Sequence, residues 1–377
     1  MTNQQTAGIY LHIPFCIQKC QYCDFCSFPR ANTATVSQYV DRLCDELRLR
    51  APSAAGHRFD TVYFGGGTPT LLPAAQLIRL LDTVRCHYTT DIDAEITLEC
   101  NPATADETTF SELRAAGFNR LSIGAQSFDD GELAALGRVH RANAIESTVV
   151  SARRAGFDHI SLDLMYGIPY QTPASFTRSL ECALSLNVEH LSVYSLIVEE
   201  GTPFYDRRNA LPLPDEDTLC AMTEKLLLTL EQAGYHRYEI SNFARAGYRS
   251  RHNLHYWNLD DYLGFGSAAH SLLNGERTGH SRDLDAYLRG VDITEPEELL
   301  TPDAARDEYV MLRLRLTDGI DKALFFTRFG ADFDVVYGQR AAPYVRAGLL
   351  QDSPDRIAFT SEGFDVSNTV LAQILYG

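Results

Sequence analysis

The 377-residue sequence predicts an α/β protein: a partial (β/α)6, TIM-like barrel followed by a small, mainly helical, winged-helix-like C-terminal domain. Three observations predict it. Short apolar runs alternate with helix-period stretches over about the first 200 residues. The pattern then changes to short helices near Thr301. A group of cysteines stands directly behind the first apolar run, at the strand end where barrel active sites gather.

Strands are expected at residues 8–15, 60–64, 95–99, 120–125, 159–165 and 190–198. Between most of them lie stretches such as 36–49 and 74–84, with apolar residues at three- and four-residue spacing. Strand, helix, strand, helix implies parallel strands joined by right-handed crossovers. The run Leu191-Ser192-Val193-Tyr194-Ser195-Leu196-Ile197-Val198 is apolar enough to be covered by helices. Six such units suit a partial barrel better than a closed eight-fold one of roughly 250 residues. A doubly wound open sheet would give a similar pattern. A helix is expected over 216–233 and a strand over 235–241, with an irregular stretch from Arg245 to Gly266. Beyond Thr301 come short helices, a hairpin around 353–355 and a final helix from Ser367. The domain organisation expected is therefore a barrel over 1–240, a connecting region over 241–300 and the C-terminal domain over 301–377.

Composition excludes several classes. With 45% hydrophobic and 22% charged residues the chain is an ordinary globular one. Fifty acidic against 33 basic side chains, net −17, argue against a nucleic-acid surface and give no attraction to an anionic membrane. Residues 1–8 lack the basic start and apolar run of a signal peptide. No apolar stretch approaches the roughly 18 residues of a membrane span. A cytoplasmic location without stable membrane insertion is expected.

Nine cysteines are present, four of them between Cys16 and Cys26. Cys44, Cys86, Cys100, Cys182 and Cys220 are scattered singly and are expected to be small buried hydrophobes. Cys16-x3-Cys20-x2-Cys23 needs another explanation. Three thiolates on one tight loop reach three irons of a [4Fe–4S] cube and leave the fourth iron open, as a reactive metal site requires. That open iron would chelate the amino and carboxylate groups of S-adenosylmethionine. A structural zinc site draws on two separated cysteine pairs, and ferredoxin loops use a different spacing. Cys26 can be a spare thiol.

Polar residues recur at the next strand ends. Gly65-Gly66-Gly67-Thr68-Pro69 follows the second strand, Glu99 ends the third and Gln126 ends the fourth. Asp163 lies inside the apolar fifth strand, where a carboxylate is costly unless hydrogen-bonded or paired. Arg138 is expected to supply that charge or to bind a ligand carboxylate.

The cysteine spacing, with Tyr22 beside Cys23, resembles the signature of the radical-SAM superfamily, and the glycine run resembles its glycine-rich loop. The blocks over roughly residues 8 to 275 are similar to one branch, the oxygen-independent coproporphyrinogen III dehydrogenases and their shorter relatives. The resemblance implies that Tyr10, Gly66, Gly67, Thr68, Glu99, Gln126, Arg138 and Asp163 line the S-adenosylmethionine pocket, with Tyr22 on the cluster or adenine side. Within this branch, oxidative decarboxylation of coproporphyrinogen III competes with haem delivery by chaperones. The dehydrogenases carry a long N-terminal extension and a fourth cysteine two residues after the third, where this chain has Phe25 and, one later, Cys26. The run Arg251-His252-Asn253-Leu254-His255-Tyr256-Trp257 resembles the chaperones' His-Asn-x-x-Tyr-Trp motif. All three features point to a haem chaperone whose partners are haem and a haem-accepting respiratory enzyme. Imidazole is a good axial iron ligand and aromatic rings stack on a macrocycle, so His252 is the first candidate ligand and His255 the second.

Overall fold

The computed structural model describes residues 5–29 and 31–377. Strands β1 (Gln5–Ile13), β2 (His57–Gly66), β3 (Thr90–Cys100), β4 (Arg120–Gln126), β5 (Ile160–Tyr166) and β6 (His190–Ser195) pair in chain order, each parallel to the next. Parallel pairing requires crossovers, and helices supply them. They are α1 (Thr33–Arg50), α2 (Ala74–His87), α3 (Glu107–Ala116), α4 (Asp130–Leu136), α5 (Ala142–Arg154) and α6 (Pro173–Ser185). The start of α1 is set by Asn32, whose side chain accepts the Thr35 N–H. The helix then buries Tyr39, Val40, Leu43, Cys44 and Leu47 along one face.

The pleat sorts each strand into two faces. Ile9, Leu11, Val62, Phe64, Ile96, Leu98, Leu121, Ile123, Leu162 and Leu164 join the main apolar core under the helices. The alternate positions carry Tyr10, His12, Thr61, Tyr63, Glu95, Thr97, Glu99, Arg120, Ser122 and Asp163, which make a polar barrel interior. Every residue of β4 is buried, so both faces of the sheet are covered there.

Two expectations are corrected beyond residue 233. The single strand expected over 235–241 is two short antiparallel strands, β7 (His236–Arg237) and β8 (Asn242–Ala244), with β8 continuing the sheet beside β6. The residues between them leave the ladder so that Tyr238 can fill the interior, where its hydroxyl bonds His190 Nε2 at 2.8 Å. The stretch from Arg245 to Gly266 is irregular only in part. It forms α8 (Arg251–Trp257), after the long helix α7 (Glu216–Gln232), and then β9 (Tyr262–Phe265). Ser250 caps α8, and β9 pairs parallel with β1 on the other edge of the barrel. Strands β10 (His270–Leu273), β11 (Glu276–His280) and β12 (Thr294–Leu299) extend that edge antiparallel. The full sheet order is β12-β11-β10-β9-β1-β2-β3-β4-β5-β6-β8-β7.

A second apolar cluster holds the C-terminal region together, around Val310, Leu314, Phe325, Tyr337, Ile357 and Leu371. It is built by α9 (Pro302–Arg313), α10 (Lys322–Phe329), α11 (Gln339–Arg346), α12 (Ser361–Asp365) and α13 (Ser367–Tyr376), with the small sheet β13 (Ile320–Asp321), β15 (Arg356–Phe359) and β14 (Leu350–Asp352). Leu259 and Leu272 belong to this cluster too, so the connecting region helps to bind the two parts. Among the described residues no helix is long and apolar enough to cross a membrane. The scattered cysteines divide: Cys44 and Cys100 are buried as expected, but Cys86, Cys182 and Cys220 are exposed. Those three lie on helices, at positions turned away from the packed face.

Candidate functional site

Directly after β1 the chain turns through the cysteine loop, where the Cys23 N–H donates to the Cys20 carbonyl at 3.3 Å. Phe28 N–H donates to Pro14 O at 2.6 Å and closes the loop on itself. Cys16, Cys20 and Cys23 are half-buried and together line a small cavity of about 130 Å³ at the carboxyl ends of the strands. Burial pushes the Cys23 thiol up to about 11 and raises Cys16 as well. On their own these thiols keep their protons at neutral pH, and metal binding would exchange them. Cys26 is turned elsewhere. Its Sγ lies 4.0 Å from the Arg282 carbonyl oxygen, and its own carbonyl accepts from His12 Nε2 at 2.9 Å.

The same small cavity is lined by Tyr22, Gly66, Gly67, Thr68, Glu99, Gln126, Arg138 and Asp163. The glycine turn has a local cause. Gly66 has φ +111, and a Cβ there would stand 2.5 Å from the His12 ring. A Cβ on Gly67 would meet the Phe15 carbonyl oxygen at 2.6 Å. Gly67 and Thr68 donate their N–H groups to Ile13 O and Phe15 O, so the turn is laced to the cysteine-bearing segment. Gln126 enters at a register shift between β4 and β5 with φ +65, a left-handed conformation that costs a non-glycine residue.

Two carboxylates face the cavity. Tyr63 donates its hydroxyl to Glu99 Oε1 at 2.8 Å, and Gly66 donates its N–H to Oε2 at 3.0 Å. Burial, followed by the Asp163 charge, nevertheless pushes Glu99 up to about 7. Asp163 is raised by burial and accepts from Ser122 at 3.1 Å. Of the two roles expected of Arg138, a direct ion pair with Asp163 is not made, although its charge still draws Asp163 downward. Arg138 instead donates to Asn101 Oδ1 at 2.5 Å and to Gly124 O at 2.6 Å, with its other nitrogen 3.7 Å from Cys20 Sγ. These neutral partners leave the guanidinium charge to the thiols and to Tyr22. Asn101, which sequence reasoning passed over, also donates to Thr68 Oγ1 at 2.7 Å and links the arginine to the glycine turn. Its only sequence signal is its place two residues after Glu99. Arg120 was missed as well: 2% exposed inside the barrel, it is a positive charge that draws Glu99 and Asp163 downward.

Tyr10 does not line this cavity. It lines a neighbouring one of about 760 Å³ with Cys26 and Tyr256, bonds His12 Nδ1 at 3.0 Å and stacks 6.1 Å from Tyr63.

His252 and His255 lie on α8, toward the amino ends of the strands. Glu95 receives the N–H groups of Arg251 and His252 at 3.1 Å each, an anion on a helix start. His252 shares 2.8 Å hydrogen bonds with Thr61 Oγ1 through Nδ1 and with the Tyr256 hydroxyl through Nε2, and burial holds it well below the ordinary histidine range. His255 is bonded to Asp60 at 2.7 Å and lies 3.6 Å from Asp260. Although burial opposes it, hydrogen bonds to Asp260 and Asp60 raise His255 to about 9. Both imidazoles are thus engaged by protein groups. Tyr63 connects the two ends of the barrel, its ring stacked 5.0 Å from His252 while its hydroxyl holds Glu99.

Three thiols on one loop, beside carboxylates and a glycine turn, fit a [4Fe–4S] cluster with S-adenosylmethionine. Among the described residues no group of three His, Cys, Asp or Glu side chains is placed to hold a single metal ion.

The chain resembles known proteins over its whole length. Residues 10–183 match the model of the radical SAM superfamily, and residues 300–366 match that of the HemN C-terminal domain. The chain is 36% identical over 374 residues to the Heme chaperone HemW of Bacillus subtilis, covering 97% of this chain and 98% of that one. To the Heme chaperone HemW of Escherichia coli it is 35% identical over 383 residues, covering 100% of each. Among solved structures, coproporphyrinogen III oxidase (HemN) of Escherichia coli, a radical SAM enzyme, superposes with a TM-score of 0.87 at 26% identity, over 99% of this chain and 90% of that one.

Proposed function

The chain belongs to the radical-SAM superfamily and, within it, to the family of the HemW heme chaperones, and from that membership we propose that it binds haem and passes it to an acceptor protein. Membership of the superfamily implies a [4Fe–4S] cluster and S-adenosylmethionine. In this reading Cys16, Cys20 and Cys23 hold the cluster, which when reduced supplies an electron to the sulfonium. Glu99 and Asp163 offer anionic partners to the cationic amino and sulfonium groups. Gly66, Gly67 and Thr68 bring backbone close, Arg138 faces carboxylate or thiolate charge, and Gln126 and Tyr22 complete the walls. Haem is held at the α8 motif, with His252 as the first candidate ligand and His255 as the second.

One observation carries the reading. The cysteine loop and the α8 motif occupy opposite ends of one barrel interior, and Tyr63 touches both through Glu99 and His252. For His252 to ligate iron it must exchange its hydrogen bond to Thr61 or Tyr256. For His255 the cost is larger, since a cation does not ligate and its proton is held by two aspartates.

The alternative within the superfamily is coproporphyrinogen III decarboxylation, and it is disfavoured by Phe25 standing two residues after Cys23 while Cys26, one later, turns to Arg282. The test is anaerobic. Cluster-loaded protein with coproporphyrinogen III, reductant and S-adenosylmethionine is expected to release no carbon dioxide, while the same protein loaded with haem yields it to an apo-acceptor. Steady carbon dioxide release would overturn the chaperone reading.

A further inference from the structure

A cavity of about 910 Å³ lies between the open edge of the barrel and the C-terminal helices, and neither His252 nor His255 lines it. Its barrel side presents Tyr194 together with Asn253, Tyr256 and Trp257 of α8. Its far side is Phe364 and the start of α13. The size is at the upper end of small-molecule sites, about 300–1,000 Å³. Tyr194 is 40% exposed, and Val366, on the opposite rim, is 43% exposed, so the cavity has a wet mouth with apolar lips.

Two guanidinium groups line it. Arg237 donates Nε to Glu239 O at 3.0 Å and Nη2 to Ile240 O at 2.6 Å, both neutral carbonyls, and lies over the Phe364 ring at 4.6 Å. Arg315 donates only to Asn368 Oδ1, at 3.1 Å. Glu239 and Asp365 also line the cavity, yet no carboxylate among the described residues stands within ion-pair distance of either arginine. The Glu239 carboxylate accepts the Ser241 N–H at 3.1 Å and is itself raised by burial. Burial lowers both Arg237 and Arg315 from the ordinary arginine range, and at Arg237 the Glu239 and Asp365 charges offset only part of that loss. An aromatic cavity with two guanidinium groups that form no ion pair among the described residues suits a flat ligand bearing carboxylates.

We propose that this cavity is the tetrapyrrole site, with Trp257 and Tyr256 against the macrocycle and Arg237 and Arg315 binding its two propionates. The assignment rests on the haem reading above and adds to it the place and the carboxylate partners. Planar guanidinium suits carboxylate better than ammonium does. Tyr256 stands between the cavity and His252, bonded to it through its hydroxyl, so His252 reaches the iron of a macrocycle seated here only when Tyr256 gives up that bond and swings aside.

Trp257 is the sole tryptophan and lines this cavity, so haem seated here must quench its fluorescence. Cluster-loaded wild-type protein is titrated with haemin and with haemin dimethyl ester, following fluorescence and the Soret band. The expected result is quenching by both ligands, with the Arg237→Gln/Arg315→Gln variant at least tenfold weaker for haemin and unchanged for the ester. Because Arg237 packs on Phe364, Arg315→Gln alone serves as the milder variant, with about a threefold loss for haemin only. Haemin binding undiminished in both variants, or Soret binding without Trp257 quenching, would overturn the site and leave the haem reading intact. No haemin binding to wild type by either signal would overturn both.

Discussion

His252 and Tyr256, one helical turn apart on α8, share a 2.8 Å hydrogen bond with their rings nearly perpendicular. The pairing places a phenol between the buried imidazole and the two large cavities, both of which Tyr256 lines. It also makes the motif a unit. Removing either partner leaves the other with an unmet polar atom in the barrel.

His252→Ala is therefore expected to weaken haem binding and to lower stability by about 1–3 kcal/mol, since Thr61 and Tyr256 both lose a buried partner. The cluster's visible absorbance should persist. Haem titration, thermal melting and absorbance on the same sample check all three; loss of the cluster band would mean that the variant disturbs the whole barrel.

The cysteine loop gives a sharper contrast. Cys16→Ser, Cys20→Ser or Cys23→Ser should each abolish the [4Fe–4S] signal and its bound iron after reconstitution. Cys26→Ser should retain both, because that thiol faces Arg282 and not the cavity of the other three. Iron analysis and electron paramagnetic resonance read the outcome.

Glu99 sets a pH dependence. Its pKa is raised from 4.5 to about 7, so the folded chain holds a proton that the unfolded chain has released between those values. Stability contributed at this position falls as pH rises through that window. A cationic ligand prefers the ionised form, so S-adenosylmethionine affinity should rise from pH 6 to pH 8 by up to about tenfold per unit below the pKa and then level off. Glu99→Gln should bind weakly and without that slope. Calorimetric titration at several pH values shows whether it does.

Glu95 anchors the start of α8 with both carboxylate oxygens. Glu95→Ala should cost about 1–3 kcal/mol and loosen the motif. Faster hydrogen exchange over residues 251–257, with an unchanged cluster, is the expected signature.

Much of this was legible in the sequence, and the reasons are local. The six parallel strands declare themselves because their outward faces are continuous apolar positions under helices, and the cysteine triplet needs only one loop. Residues predicted to line the cluster cavity do so wherever they sit at a strand end, as Glu99, Gln126 and Gly66 do. Tyr10 does not, because its ring leans on His12 and Tyr63 and faces the neighbouring cavity. The helix α8 escaped notice for a different reason. Seven residues rich in His, Asn and Tyr carry little helical preference, and the segment is helical because Ser250, Glu95 and Asp60 hold it. The strand β9 is short and joins β1 across some 250 residues of chain, a pairing that no local pattern announces. Arg120 and Asn101 are legible only once the barrel has closed around them.

The most direct measurement is an anaerobic haem titration of the cluster-loaded protein, followed by mixing with an apo-form of a haem-requiring respiratory enzyme. Saturable binding near one haem per chain, with the Soret band passing to the acceptor and its activity appearing, is the expected result. Absence of saturable binding, or haem that stays on this chain while coproporphyrinogen III is decarboxylated, would contradict the account.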